Sequence, residues 1–164
     1  MPALALTYNI LKSELMKKQF TFLVAVLTLT CTISAQTAPP ESTTLFERLG
    51  GTPGITAIVD DVIEAHMNNP AINARFMPYK DQPERFALIR QHTIEFFSVG
   101  SGGPVEYKGR DMLSTHQGMN ISPEEYMHVM DDIMGVLDKH NIDAESKKDV
   151  LAILWSLKGN IISK

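Results

Sequence analysis

The sequence has a single cysteine, Cys31, in 164 residues, and aromatic residues make up only 7% of it. One cysteine cannot form a disulfide within the chain or a cysteine-based zinc site, so both are excluded. Basic residues are also few: 15 lysines and arginines stand against 19 aspartates and glutamates, for a net charge of −4. Because nucleic-acid binding depends on a basic surface, this balance argues against a nucleic-acid partner. The core is expected to be aliphatic and rich in methionine.

Several catalytic and nucleotide-binding motifs are absent as well. The sequence contains no Gly-rich phosphate loop, no HExxH zinc motif, no EF-hand loop and no Gly-x-Ser-x-Gly nucleophile motif. Neighbouring carboxylates such as Asp60 and Asp61 point in different directions from a helix, so we predict solvated faces rather than an acid–base pair. No segment alternates with a period of two, and strands are therefore not expected.

The longest uncharged run lies near the N-terminus. Residues 20–35 carry no charge, follow Lys17 and Lys18 directly, and end in the small residues Ser34 and Ala35. A basic start, an apolar middle and small residues at the end are typical of a secretory signal peptide. As a helix this run would span about 24 Å, short of a bilayer core of about 30 Å, and a retained anchor is the alternative. We expect export, to a bacterial periplasm, with membrane contact only through an uncleaved signal.

This signal divides the chain into four parts. Residues 16–35 are the predicted signal peptide, and residues 1–15 are either a start-site error or a disordered extension. Residues 36–43 form a short linker, and residues 44–164 form the working domain.

The working domain is predicted to be all-α. Helix starts are expected at Thr44, Thr52, Pro83, Ser122 and about Ala144. Thr44 and Ser122 are each followed three residues later by glutamate, which is the capping-box pattern. Apolar residues behind each start recur at helical spacing.

Two of the five histidines lie beside apolar residues. His92 is at the edge of the stripe that contains Ile89 and Phe96, and His116 follows Met112 by one turn in a short segment between two turns. An imidazole with such neighbours could hold haem iron through its neutral nitrogen. A histidine at a helix end with no ligand is the alternative.

An ordered set of motifs resembles the truncated haemoglobins of the first group. The set covers nearly all of residues 44–160 and consists of Leu45-Phe46-Glu47-Arg48-Leu49-Gly50-Gly51 with Gly54-Ile55, Ile94-Glu95-Phe96-Phe97, Gly102-Gly103-Pro104 with Tyr107, Gly109-Arg110-Asp111-Met112, and His116-Gln117-Gly118-Met119-Asn120-Ile121. The resemblance implies a two-over-two helical sandwich that binds haem b. It implies His116 as the proximal iron ligand and Phe76 as the aromatic residue wedged against the haem. The other residues implied to line the haem are Ile63, Ile89, His92, Thr93, Phe96, Met112, Met119, Ile121, Tyr126 and Val129.

The distal side departs from the family pattern. Val62 and Ile63 stand where many members have a Phe-Tyr pair, and Thr93 stands where the polar helper is often glutamine. Ile89 fills the position one turn earlier. Bound oxygen thus loses its best hydrogen-bond donor, a loss of about 1–3 kcal/mol. His92 aligns with a second histidine that closes the sixth coordination position in some cyanobacterial members, so we expect it either to bind the iron or to donate a hydrogen bond to a bound ligand. The alternative is that it faces solvent or a haem propionate.

Three functions follow from the resemblance. The first is reversible binding of oxygen or nitric oxide, as in oxygen transport. The second is electron transfer or redox sensing by a bis-histidyl haem, with His92 as sixth ligand. The third is nitric oxide detoxification with an external electron donor, since the chain has no flavin or nicotinamide motif. No catalytic residue is assigned, and a helical interaction module without haem is the alternative class.

Overall fold

A computed structural model describes residues 43–164, so the predicted extension, signal peptide and nearly all of the linker lie outside the described residues. Six α-helices occupy this range: α1 Leu45–Arg48, α2 Gly51–Asn68, α3 Pro83–Gly100, α4 Met112–His116, α5 Pro123–Lys139 and α6 Ala144–Ile161. Two short 3₁₀ turns, Asn73–Arg75 and Met77–Tyr79, connect α2 to α3. Residues 43–164 contain no strand, and the all-α prediction is confirmed. None of their helices is both long and apolar enough to cross a membrane.

Both predicted capping boxes are present. The Thr44 hydroxyl accepts from the Glu47 amide at 3.2 Å, and the Glu47 carboxylate accepts from the Thr44 amide at 2.9 Å. Ser122 and Glu125 repeat the pattern at the start of α5, with distances of 3.0 and 2.8 Å. These reciprocal bonds satisfy backbone donors that a helix start would otherwise leave unpaired.

The second helix starts two residues earlier than predicted, because its N-cap is Gly50 rather than Thr52. Helix α2 begins at Gly51, preceded by Gly50 with φ of 87°, a left-handed conformation that glycine adopts without strain. The chain also turns so tightly that a Cβ on Gly54 would lie 2.1 Å from the Leu49 carbonyl oxygen. Backbone geometry, rather than a side-chain cap, therefore sets this helix start.

Four long helices pack as two pairs. Helix α2 packs on α3 and on α5, and α5 packs on α6. This is the expected two-over-two sandwich, and its core consists of aliphatic residues with one tyrosine. The buried members of α2 and α5 are Ile55, Ile58, Val59, Val62, Tyr126, Met130, Ile133, Val136 and Leu137.

The carboxylates predicted to be solvated also join helices to one another. Asp60 on α2 accepts two bonds from Arg90 on α3. Asp61, also on α2, contacts His140 at 2.6 Å and Lys139 at 3.0 Å at the end of α5. The contact with Lys139, and after it the hydrogen bond with His140, hold the pKa of Asp61 below its usual value. The prediction missed these contacts because their partners lie far away in the sequence.

Candidate functional site

His116 is the last residue of α4, a helix of five residues. Its Nδ1 lies 2.8 Å from the Met112 carbonyl oxygen. Because a carbonyl only accepts, Nδ1 carries the hydrogen of the neutral ring and Nε2 keeps the lone pair. A hydrogen bond at one ring nitrogen, with the other free to bind, is the arrangement typical of a metal-ligating histidine.

The loop after His116 is held by the C-terminal end of the chain. The Met119 amide donates to the His116 carbonyl at 3.0 Å, and the Asn120 amide donates to the Lys164 carbonyl at 2.8 Å. Asn120 has φ of 47°, a left-handed conformation that asparagine tolerates better than most residues. The contact with Lys164 therefore fixes the backbone of the loop that carries Met119 and Ile121.

Helix α3 carries four of the predicted site residues within two turns. Ile89, His92, Thr93 and Phe96 are all half-buried and spaced so that they share one side of the helix. His92 and Phe96 both lie edge-on against Tyr107, with ring centroids 6.1 and 5.6 Å apart. The ring nitrogens of His92 have no hydrogen-bond partner among residues 43–164. Their lone pair and hydrogen are thus available to a ligand.

Phe76 follows the first 3₁₀ turn and stacks on His66, with ring centroids 4.9 Å apart and an angle of 30°. His66 is buried, and its Nδ1 lies 2.9 Å from Asp132 on α5. Burial lowers the pKa of His66, although Asp132 opposes that shift. The ring is therefore mainly neutral near pH 7, with Nδ1–H donated to Asp132.

Helices α3 and α4 do not pack closely on each other, because α3 packs on α2 and α4 packs on α6. The candidate residues on these two helices remain half-buried, although Ile89, Phe96 and Met112 are apolar. Burying this apolar surface against a flat apolar group would stabilise the protein. Half-buried apolar side chains on both sides, together with an imidazole with a free Nε2, fit haem.

A sequence profile of the bacterial-like globins matches residues 44–163. The chain belongs to the bacterial-like globin family. Haem iron is the cofactor of that family, and the predicted group I resemblance is confirmed.

Individual relatives agree with this assignment. The globin is 26% identical over 121 residues to the group 1 truncated hemoglobin GlbN of a Nostoc species, which covers 74% of this chain and 98% of the relative. It is 25% identical over 114 residues to GlbN of Synechocystis, and this match covers 67% of this chain and 88% of that relative. The truncated hemoglobin of Tetrahymena pyriformis shares the fold with a TM-score of 0.66 at 18% identity, covering 74% of this chain and all of the other. A Synechococcus 2/2 hemoglobin with covalently attached heme matches with a TM-score of 0.64 at 20% identity. This match covers 72% of this chain and 95% of the other.

The remaining predicted site residues of the globin lie on four segments. Ile63 on α2, Met112 on α4, Ile121 after α4 and Val129 on α5 are half-buried and pack against the core. Met119 is half-buried in the loop after His116. Tyr126 differs from them, because it is buried within the core and its hydroxyl donates to the Leu154 carbonyl. Its hydroxyl is therefore engaged with α6.

The hydroxyl of Thr93 is also engaged. Thr93 Oγ1 donates to the Ile89 carbonyl, one turn earlier on α3, at 2.8 Å. A hydroxyl has a single hydrogen, so this bond leaves Thr93 none to donate elsewhere. Ile63 and Ile89 have no polar side-chain atoms, and His92 is the only one of the four predicted distal residues with a free side-chain donor.

Sequence reasoning missed two polar contacts around Phe76. One is the His66–Asp132 pair, and the other is a set of bonds from Arg75 to Glu125 and to the Met119 carbonyl. His66 lies one turn after Val62 on the apolar face of α2, which indicates burial but not its partner. Nothing in the sequence indicates the partners of Arg75, which lie 50 and 44 residues further along.

Proposed function

We propose that this globin binds haem b between α3 and α4, with His116 as the proximal iron ligand, and that it reversibly binds oxygen or nitric oxide. The bond from His116 Nδ1 to the Met112 carbonyl carries the proposal, because it directs the lone pair of Nε2 away from the helix backbone. When bound, haem supplies an iron atom with a coordination position for a diatomic gas.

The residues of the chain have separate tasks in this proposal. His116 binds the iron, and Phe76 packs on the haem from the turn after α2. Met112, Met119 and Phe96 add apolar surface that excludes water, which slows oxidation of ferrous iron. All of these side chains are half-buried and can lose their remaining exposure to a bound group.

The distal side favours weak retention of oxygen. Bound oxygen is stabilised by a hydrogen-bond donor, and the side chains of Ile63, Ile89 and Thr93 offer none. A missing bond to a buried acceptor costs about 1–3 kcal/mol, which corresponds to about a fivefold to hundredfold faster release. With the His92 ring turned away from the gas, we therefore propose that the globin exchanges gas rapidly rather than storing oxygen.

His92 supports a second candidate function. Its ring nitrogens are without partners among the described residues, and Tyr107 packs against one edge of the ring. With His92 as a sixth ligand, the globin would serve electron transfer or redox sensing. Nitric oxide detoxification requires, in addition, an external electron donor.

Absorption spectra of the purified working domain, ferric and then reduced with dithionite, test both proposals. We expect a haem Soret band in the wild type, its loss or a marked change in His116→Ala, and no change in His128→Ala, the matched control on α5. If His92 binds the iron, the six-coordinate reduced spectrum becomes five-coordinate in His92→Leu. A colourless wild type, or a His116→Ala spectrum identical to that of the wild type, contradicts haem binding through His116.

Export to the periplasm, with a signal peptide at residues 16–35, remains our proposal for the location. It rests on the uncharged run after Lys17 and Lys18. Expression of the full chain in a Gram-negative bacterium, followed by fractionation and intact-mass measurement, tests it. We expect a periplasmic product cleaved near Ala35; an uncleaved cytoplasmic product contradicts export.

A further inference from the structure

Helix α4 is too short to hold His116 in place by itself. An isolated helix of five residues is unstable, because the entropy lost in nucleation exceeds the free energy gained from one turn of hydrogen bonds. The N-cap Asp111, which accepts from the Ser114 amide at 2.9 Å, fixes only its beginning. The position of His116 therefore depends on the packing of α4 against α6 and on contacts made by the loop that follows it.

Arg75 makes one of these contacts. Its Nη1 donates to the Met119 carbonyl at 2.9 Å, three residues after His116. Its Nε and Nη2 donate to the two carboxylate oxygens of Glu125 at 2.7 and 3.0 Å. Arg75 itself ends the 3₁₀ turn directly before Phe76. One guanidinium thus joins the Phe76 turn, the loop after His116 and the start of α5.

Glu125 is well placed to hold this guanidinium. Its carboxylate also accepts from the Ser122 amide, so the capping box of α5 fixes its orientation. The pKa of Glu125 is lowered to about 2, first by Arg75 and then by the Ser122 amide. The carboxylate therefore remains charged at any pH at which the globin is expected to work.

We propose that Arg75 is a positioning residue that holds the proximal His116 segment at a fixed separation from the Phe76 turn, the two segments between which it makes its bonds. This inference rests on the proposed haem site. Arg75 touches neither the iron nor the gas; it acts through the Met119 carbonyl and through the Phe76 turn. Loss of the guanidinium lets the two segments move apart, so haem leaves faster.

The test compares Arg75→Met with Arg48→Met. Arg48 is a matched control, because it also bonds two partners, Ser146 at 2.9 Å and Asp149, but joins α1 to α6 away from the proposed site. Haem release into excess apomyoglobin is followed by absorbance, and unfolding of each haem-free protein is followed by circular dichroism. We expect Arg75→Met to release haem about fivefold faster or more, since charge-assisted bonds are lost, and Arg48→Met to stay within about twofold of the wild type.

A second readout separates positioning from general stability. In the cyanide-bound ferric proteins, the hyperfine-shifted NMR signals of the His116 ring report its orientation on the iron. They are expected to shift in Arg75→Met and to stay unchanged in Arg48→Met. Arg75→Lys keeps the charge but not the fork of donors, so we expect an intermediate release rate.

The possible failures are distinguishable. Equal release rates and equal His116 signals in Arg75→Met and wild type overturn the inference and leave the proposed haem site standing. Faster release that only parallels the loss of unfolding stability in both variants also overturns it. A wild type that takes up no haem refutes the proposed function, and this inference with it. If Arg75→Met does not fold, Arg75→Lys decides by the same two readouts.

Discussion

Ser98 on α3 is predicted to destabilise the globin. Only 1% of the residue is exposed, and its hydroxyl is the one buried side-chain polar atom among residues 43–164 that has no hydrogen-bond partner. A buried hydroxyl without a partner costs about 1–3 kcal/mol, and alanine also has a higher helix propensity by about 0.5 kcal/mol. The small void left by the oxygen offsets part of this gain. We expect Ser98→Ala to stabilise the fold by about 1 kcal/mol.

The matched control is Ser146 on α6, which is fully buried but well bonded. Its hydroxyl donates to Asp143 and accepts from Arg48. Ser146→Ala removes both bonds and leaves Arg48 with one partner fewer, so we expect a loss of about 1–2 kcal/mol.

Thermal unfolding followed by circular dichroism compares the two variants. In a domain of this size 1 kcal/mol corresponds to a shift of about 4 °C in Tm. Ser98→Ala should therefore raise Tm by about that amount, and Ser146→Ala should lower it by a similar amount or more. The opposite signs exclude a general effect of removing serine from a helix. A lower Tm for Ser98→Ala refutes the reasoning, because it shows that the hydroxyl has a partner in solution.

Three further predictions concern pH, backbone space and the distal side. The pKa of His66 is lower in the folded protein than its usual 6.5, so the unfolded chain binds the proton first as the pH falls. The contribution of His66 to the stability of the wild type should therefore be full above about pH 7 and decrease below about pH 6.5. Urea unfolding at about pH 5.5 and about pH 7.5 should show a smaller difference in stability for His66→Gln than for the wild type. An equally large decrease in His66→Gln contradicts this prediction. Gly54→Ala should lower Tm by several degrees, because the added Cβ would lie 2.1 Å from the Leu49 carbonyl oxygen. Gly135→Ala should raise Tm, because no atom lies within 4 Å of the added Cβ and alanine has the higher helix propensity. A Gly54→Ala protein as stable as the wild type would show that this turn can open. Thr93→Val should change the oxygen dissociation rate, measured by stopped flow, by less than about twofold, because the Thr93 hydroxyl already donates to the Ile89 carbonyl. Thr93→Gln should slow oxygen dissociation, because glutamine adds a donor. A large effect of Thr93→Val would mean that the hydroxyl turns toward the gas.

Much of the fold was predictable because its signals are local. A capping box needs two residues three positions apart, and the two at Thr44 and Ser122 were predicted correctly. Apolar spacing along α2 and α5 likewise indicated the faces that form the core. The start of α2 was misplaced because Gly50 sets it through a left-handed backbone, and the pattern of side chains does not show this.

The polar contacts around the candidate site were not predictable, for a physical reason. The partners of Arg75, His66 and Asp61 lie between 44 and 79 residues away, and any of several polar or charged groups could have served each of these three. Only the packing of α2 against α5 decides which carboxylate is close enough. Sequence reasoning therefore found the groups that would carry the chemistry, such as His116, but not the groups that position them.

The same distinction bears on the gas that the globin would bind. Thr93 could be recognised from the sequence as a weaker donor than glutamine, but its bond to the Ile89 carbonyl shows that it is no donor at all in this conformation. That leaves His92 as the group that decides between the two proposed functions. If Tyr107 keeps the ring turned away from the iron, the distal side is apolar and gas is released quickly. If His92 reaches the iron, every incoming gas molecule must first displace it, and gas binding then saturates at the rate at which His92 dissociates. The two functions can therefore be separated, without knowledge of the physiological ligand, by measuring binding rates against gas concentration in the wild type and in His92→Leu. Saturation that disappears in the variant indicates that His92 binds the iron. Linear plots for both proteins exclude iron binding by His92.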